Sequence, residues 1–135
     1  MKITGPIPEH IRRLMSPEDR GDLQSPTMPE IQATVETAAE KVLQSQIMDY
    51  LRLHGVFAGR QRMDKKSTMA LGWPDIVFAW HGVPIALEVK TANGKQTEEQ
   101  RVAEAAMAKD GWRYYVVRSV AEVKAILEGV LKECV

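Results

Sequence analysis

Two apolar runs split by a two-residue turn, Asp75–Trp80 and Val83–Lys90 around His81-Gly82, constrain this chain more than any other feature. Each run is short and rich in the β-branched and aromatic residues that fit a pleated strand. A glycine in so tight a connection supplies positive φ, so the pair reads as an antiparallel hairpin. Side chains alternate along a strand, which puts Glu88 and Lys90 on one face and Leu87 and Val89 on the other. A symmetric turn at His81-Gly82 pairs Trp80 with Val83 and, stepping outward, sets Asp75 opposite Glu88. Directly opposed residues have Cβ atoms roughly 4.5–5.5 Å apart, and like charges there repel. A fold keeps two facing carboxylates when something positive lies between them. A divalent cation held by oxygen ligands meets that need, with Lys90 as neighbour.

The segments around the hairpin alternate between helix and strand signals. From Thr27 to His54, Val35, Ala38, Ala39, Val42, Leu43, Ile47, Tyr50 and Leu51 recur at three- and four-residue intervals, a helical stripe. Thr27 with Glu30 forms a capping-box pattern at its start, Gly55 suits its end, and an interruption is allowed around Ile31 to Thr34. A strand is expected over Val56 to Arg62, then a polar loop to Gly72. Thr97 to Asp110 reads as a helix closed by Gly111, Arg113–Arg118 as a strand, and Ser119 with Glu122 as the start of a last helix. This order predicts a central mixed sheet with helices on its faces.

Five of the seven prolines fall within the first 29 residues. Proline removes a backbone donor and holds its predecessor extended, so residues 1–26 are expected to form an irregular or briefly helical arm before a domain at 27–135. Composition excludes several classes. The single cysteine, Cys134, leaves no disulfide framework and no thiolate zinc site. No apolar run reaches membrane-span length and the N-terminus has no signal-peptide core, so a reducing cytoplasm is the expected setting. The net charge of +0, from 18 basic and 18 acidic residues, argues against coating nucleic acid by bulk charge.

Further candidates flank the hairpin. Glu40 and Gln44, one turn apart, share a face of the first long helix. Three carboxylates with Lys90 sum to a formal charge of about −2, which one Mg²⁺ neutralises. Arg60, Arg62, Lys65 and Lys66 make the densest basic run, suited either to a solvated loop or to phosphate contact. Thr97 and Gln100 match a second capping box. Trp73 suits a loop anchor better than a base-stacking platform. His10, His54 and His81 lack metal-ligand spacing.

The Pro74-Asp75…Glu88-Val89-Lys90 arrangement resembles the PD-(D/E)XK nuclease superfamily. The helix bearing Glu40 and Gln44, followed by Ile47, Asp49-Tyr50-Leu51 and Gly55, is similar to the VRR-NUC (virus-type replication-repair nuclease) family in particular. Segments Thr97–Gln100 and Val116–Ser119 also sit where that family has similar ones. The likeness covers roughly residues 36–130. Residues 63–71 do not register against the family pattern. The resemblance implies an α/β restriction-endonuclease-like fold and a Mg²⁺- or Mn²⁺-dependent DNA endonuclease that hydrolyses phosphodiesters in branched DNA such as Holliday junctions. By position it makes Glu40, Asp75 and Glu88 metal carboxylates, with the Val89 carbonyl as another oxygen ligand. Lys90 orients or deprotonates the attacking water. Beside the resemblance, the residues themselves add Gln44 as a catalytic candidate and Arg60, Arg62, Lys65, Lys66 and Gln100 as candidates for DNA contact. Paired cuts on a symmetric junction call for a homodimer. Two rivals stand beside this reading: a non-catalytic DNA-binding module of the same fold, and a sequence-specific restriction-type nuclease.

Overall fold

The structure, a computed structural model, describes residues 9–14, 27–61 and 69–134 of the 135-residue chain. It divides into two compact units, Met1–Ala33 and Thr34–Val135. In the first, α1 is a single turn, Glu9–Arg12, and α2 begins at Met28. The expected capping box is present at that start: the Thr27 N–H donates to Glu30 Oε2 at 2.6 Å, and the Glu30 N–H to Thr27 Oγ1 at 3.4 Å. No interruption follows, and α2 runs from Met28 to Leu53.

The second unit is built on a four-stranded sheet in the order β1-β2-β3-β4: Ala58–Arg60, Ile76–Trp80, Val83–Val89 and Arg113–Val117. The first three strands run antiparallel, and β4 lies parallel to β3. Helices α3 (Glu98–Lys109) and α4 (Val120–Glu133) precede and follow β4. This mixed sheet flanked by helices is the expected α/β, restriction-endonuclease-like fold. The hairpin register is the one that the turn requires, Trp80 with Val83 and Ile76 with Leu87. His81 and Gly82 both adopt positive φ, 49° and 80°, as a mirror-image tight turn demands.

β3 is buried on both sides. Ile85, Leu87 and Val89 point into a core shared with Ile47 and Leu51 of α2, Ile76 and Phe78 of β2, and Val123, Leu127 and Val130 of α4. The Trp80 indole N–H donates to the Leu127 carbonyl at 3.2 Å and ties α4 to the hairpin. Ala86 and Glu88 face the other way, beside Tyr114 and Val116 of β4, on the side where α3 supplies Met107 and Gln100. The α2 stripe overshoots its support. Ile47 and Leu51 are buried, whereas Val35 and Val42 are 63% and 57% exposed. Periodicity reports which residues share a helix face and cannot report where the neighbouring sheet stops. No helix among the described residues is long and apolar enough to cross a membrane.

Candidate active site

Asp75 stands one residue before β2, and extending the hairpin register sets it across from Glu88. Its Oδ2 accepts the Val89 N–H at 2.8 Å, so the carboxylate also closes the open end of the hairpin. Glu88 is 2% exposed. Both of its oxygens are engaged: Oε1 accepts from Gln100 Nε2 at 2.6 Å, and Oε2 from the Tyr114 hydroxyl at 3.4 Å. Lys90 Nζ lies 3.5 Å from Oε1, on a side chain only 11% exposed.

The electrostatics follow from this crowding. Burial first, and then the adjacent Asp75 charge and a hydrogen bond shared with it, push the Glu88 carboxyl up from 4.5 to about 8. Lys90 pulls the other way without reversing the shift. The same burial, with the charge of Glu88, raises the Tyr114 phenol. A neutral-pH protein thus holds a proton on Glu88 where an ordinary glutamate has none. A buried carboxylate facing a half-buried one, with one ammonium beside them, is short of positive charge.

A cleft of about 360 Å³ opens beside Asp75, with Gly72, Trp73, Glu99 and Gln100 also among its walls. Its geometry depends on Gly72. At φ +79°, a side chain there would put its Cβ 2.2 Å from the Glu99 carbonyl oxygen and 2.8 Å from the Gln100 nitrogen. Backbone therefore packs directly on backbone, and the segment leading to Asp75 is pinned to the start of α3. The Trp73 carbonyl accepts from Gln61 Nε2 at 2.8 Å, a second tie on the same segment.

The expected residues do not all converge. Asp75, Glu88 and Lys90 come together. Glu40 does not join them in a three-carboxylate group, and among the described residues no three His, Cys, Asp or Glu side chains form a metal-holding cluster. The reason is positional: α2 packs against the Leu87–Val89 face of β3, and Glu88 leaves from the opposite face. A Cβ built on Gly94 would lie 3.4 Å from Glu40 Oε1 and 3.3 Å from Lys90 Cδ, so the two side chains approach one another across that glycine. Gln44, one turn on, is 2% exposed, and its Oε1 has no hydrogen-bond partner among the described residues. Arg60 is exposed and donates to the Ser45 hydroxyl at 3.2 Å. Arg62, Lys65 and Lys66 lie outside the described residues. Gln100, expected at DNA, is turned inward to Glu88. Sequence reasoning missed Tyr114, which reaches Glu88 only because β4 lies parallel beside β3 with Tyr114 across from Ala86. It also missed the contact at Gly72, although a glycine just before Trp73-Pro74-Asp75 was a signal for one.

These donors suit an oxygen-preferring divalent ion. Mg²⁺ takes one or two protein carboxylates and completes its shell with water and substrate phosphate. The Asp75–Glu88 pair supplies that number, and its shortage of positive charge is the deficit a cation fills.

A facing acid pair with a lysine two residues on, carried on a hairpin of a mixed sheet, defines the restriction-endonuclease class of fold. Comparison with solved structures narrows the class. A protein described as "VRR_NUC domain protein" superposes with a TM-score of 0.53 at 19% identity, covering 66% of this chain and 84% of that one. A second, "VRR_NUC domain", gives 0.52 at 24% identity, covering 66% and 94%. The chain has the VRR_NUC fold. No family model matches the sequence, and no curated protein matches it.

Proposed function

We propose that this chain is a VRR-NUC nuclease, a metal-dependent endonuclease that hydrolyses DNA phosphodiesters. The observation that carries the reading is the buried Glu88 carboxylate set across from Asp75, with Lys90 Nζ 3.5 Å from Glu88 Oε1. Such a pair costs stability in isolation and gains a purpose when a divalent ion is shared between its carboxylates. A bound Mg²⁺ or Mn²⁺ supplies charge that stabilises the phosphodiester as negative charge builds on its oxygens. Asp75 and Glu88 would hold the ion, with the Val89 carbonyl as a further oxygen. Lys90 Nζ would orient the water that attacks phosphorus and, as an ammonium, steady the charge of the transition state as the P–O ester bond breaks. Glu40 and Gln44 act from the flank, beside Lys90 and Gly94.

The substrate we propose is branched DNA, such as a Holliday junction, and the working form a homodimer. Support for the dimer comes from α2, where Val35 and Val42 are exposed two turns apart with Ala38 and Ala39 between them, an apolar strip suited to a partner helix. Cleavage of linear, flap and four-way-junction DNA with Mg²⁺ or Mn²⁺ tests the whole reading. Metal-dependent cuts favouring branched DNA are expected, absent in EDTA. Retained binding with no cleavage of any substrate assigns a non-catalytic module instead. Cuts that follow sequence rather than shape assign a restriction-type enzyme.

A further inference from the structure

A carboxylate's terminal torsion is a broad, shallow well, so a glutamate on a rigid strand still turns unless its oxygens are held. Glu88 is held from outside its hairpin. Gln100 Nε2 donates to Oε1 at 2.6 Å, the shorter of its two hydrogen bonds. Gln100 is itself fixed by the start of α3. Its Oε1 accepts the Thr97 N–H at 2.9 Å, while Thr97 Oγ1 accepts the Gln100 N–H at 3.2 Å, a complete capping box. An amide whose oxygen is committed to a backbone donor has only its nitrogen to offer the other way. The cap sets the amide, and the amide sets the carboxylate. The Glu99–Gln100 backbone also touches Gly72, so the element that grips Glu88 is braced against the segment that delivers Asp75.

We propose that Gln100 is a positioning residue, which turns the Glu88 carboxylate so that it and Asp75 present oxygens to one divalent cation. This rests on the metal-dependent reading above and adds to it a residue that bonds to a metal-holding carboxylate and takes no part in the chemistry. Groups in this relation to a metal site tune affinity by roughly 10–100-fold.

Calorimetric titration of the metal-free full chain with Mn²⁺, alongside thermal melting, tests it. Gln100→Met removes both of the amide's bonds at similar volume. Thr97→Ala removes the cap's hydroxyl acceptor and leaves the bond to Glu88. Both should lower the melting temperature by roughly a few degrees, since both damage the cap. Only Gln100→Met should weaken Mn²⁺ binding, by about 10-fold or more. Equal weakening in the two variants makes the effect one of helix stability and overturns the proposal, as does unchanged affinity in Gln100→Met. Should Gln100→Met not fold, Gln100→Asn, which keeps the amide but falls one methylene short of Glu88, carries the same expectation. Wild-type protein that binds no Mn²⁺ sinks the metal-dependent reading itself, and this proposal with it.

Discussion

Replacing Glu88 with glutamine should stabilise the metal-free protein, and more so as pH rises. The sign follows from proton counting. Glu88 titrates near 4.5 when unfolded and near 8 when folded, so between these values the native state binds the extra proton. Stability then falls with rising pH, by about 1.4 kcal/mol per unit inside the window. The penalty is absent below the unfolded value, reaches roughly 3 kcal/mol at pH 7, and is complete above pH 8 at about 5 kcal/mol as an upper bound. Glu88→Gln keeps the shape, accepts from Gln100 as before and carries no charge, so its stability should be nearly flat across the window. Urea denaturation of both proteins in EDTA at pH 5, 7 and 8 measures the difference directly. The curves should nearly coincide at pH 5 and separate by a few kcal/mol at pH 8. Saturating Mg²⁺ should recover the wild-type loss and leave Glu88→Gln unmoved. A wild-type stability that does not change between pH 5 and 8, or a Glu88→Gln protein weaker at pH 8, refutes the claim that the buried Glu88 lacks a sufficient counter-charge.

Other variants probe the remaining links. Asp75→Asn keeps an oxygen for the Val89 N–H and should fold normally while losing cleavage. Asp75→Ala should lose, in addition, roughly 1–3 kcal/mol in denaturant melts for the orphaned donor. Equal stability of the two would deny the carboxylate its place in the hairpin. Lys90→Met should cut single-turnover cleavage by 100-fold or more, about 3 kcal/mol of transition-state stabilisation, with DNA affinity preserved in Ca²⁺ gel shifts. A residual rate within 10-fold of wild type removes Lys90 from the chemistry. Gly72→Ala and Gly82→Ala both place a side chain at positive φ, yet only Gly72 meets backbone, at 2.2 Å. Gly82→Ala should cost about 1–2 kcal/mol and Gly72→Ala clearly more, a ranking that thermal melts can reverse.

The legible part of this protein is local. Alternation fixed which face Glu88 and Lys90 share, and the His81-Gly82 turn fixed the register that brings Asp75 across from Glu88, because a two-residue hairpin leaves no slack. The three capping starts at Thr27, Thr97 and Ser119 were visible for the same reason: donor and acceptor lie within four residues. What could not be read depends on contacts between distant segments. Tyr114 meets Glu88 across a parallel pairing that no sequence spacing encodes. Gln100 carries one pattern that serves both a helix cap and a carboxylate, and only the cap shows in the sequence. Glu40 has the periodicity of a site residue, and its approach to Lys90 runs past Gly94, a long-range proximity that helical phase alone does not encode.

Diffraction from crystals soaked in Mn²⁺, recorded at a wavelength where manganese scatters anomalously, tests the central claim most directly. The account predicts one strong peak bonded to both Asp75 and Glu88 at roughly 2.1 Å, with Lys90 nearby but not bound. A peak elsewhere, or none at millimolar Mn²⁺ and pH 8, contradicts it.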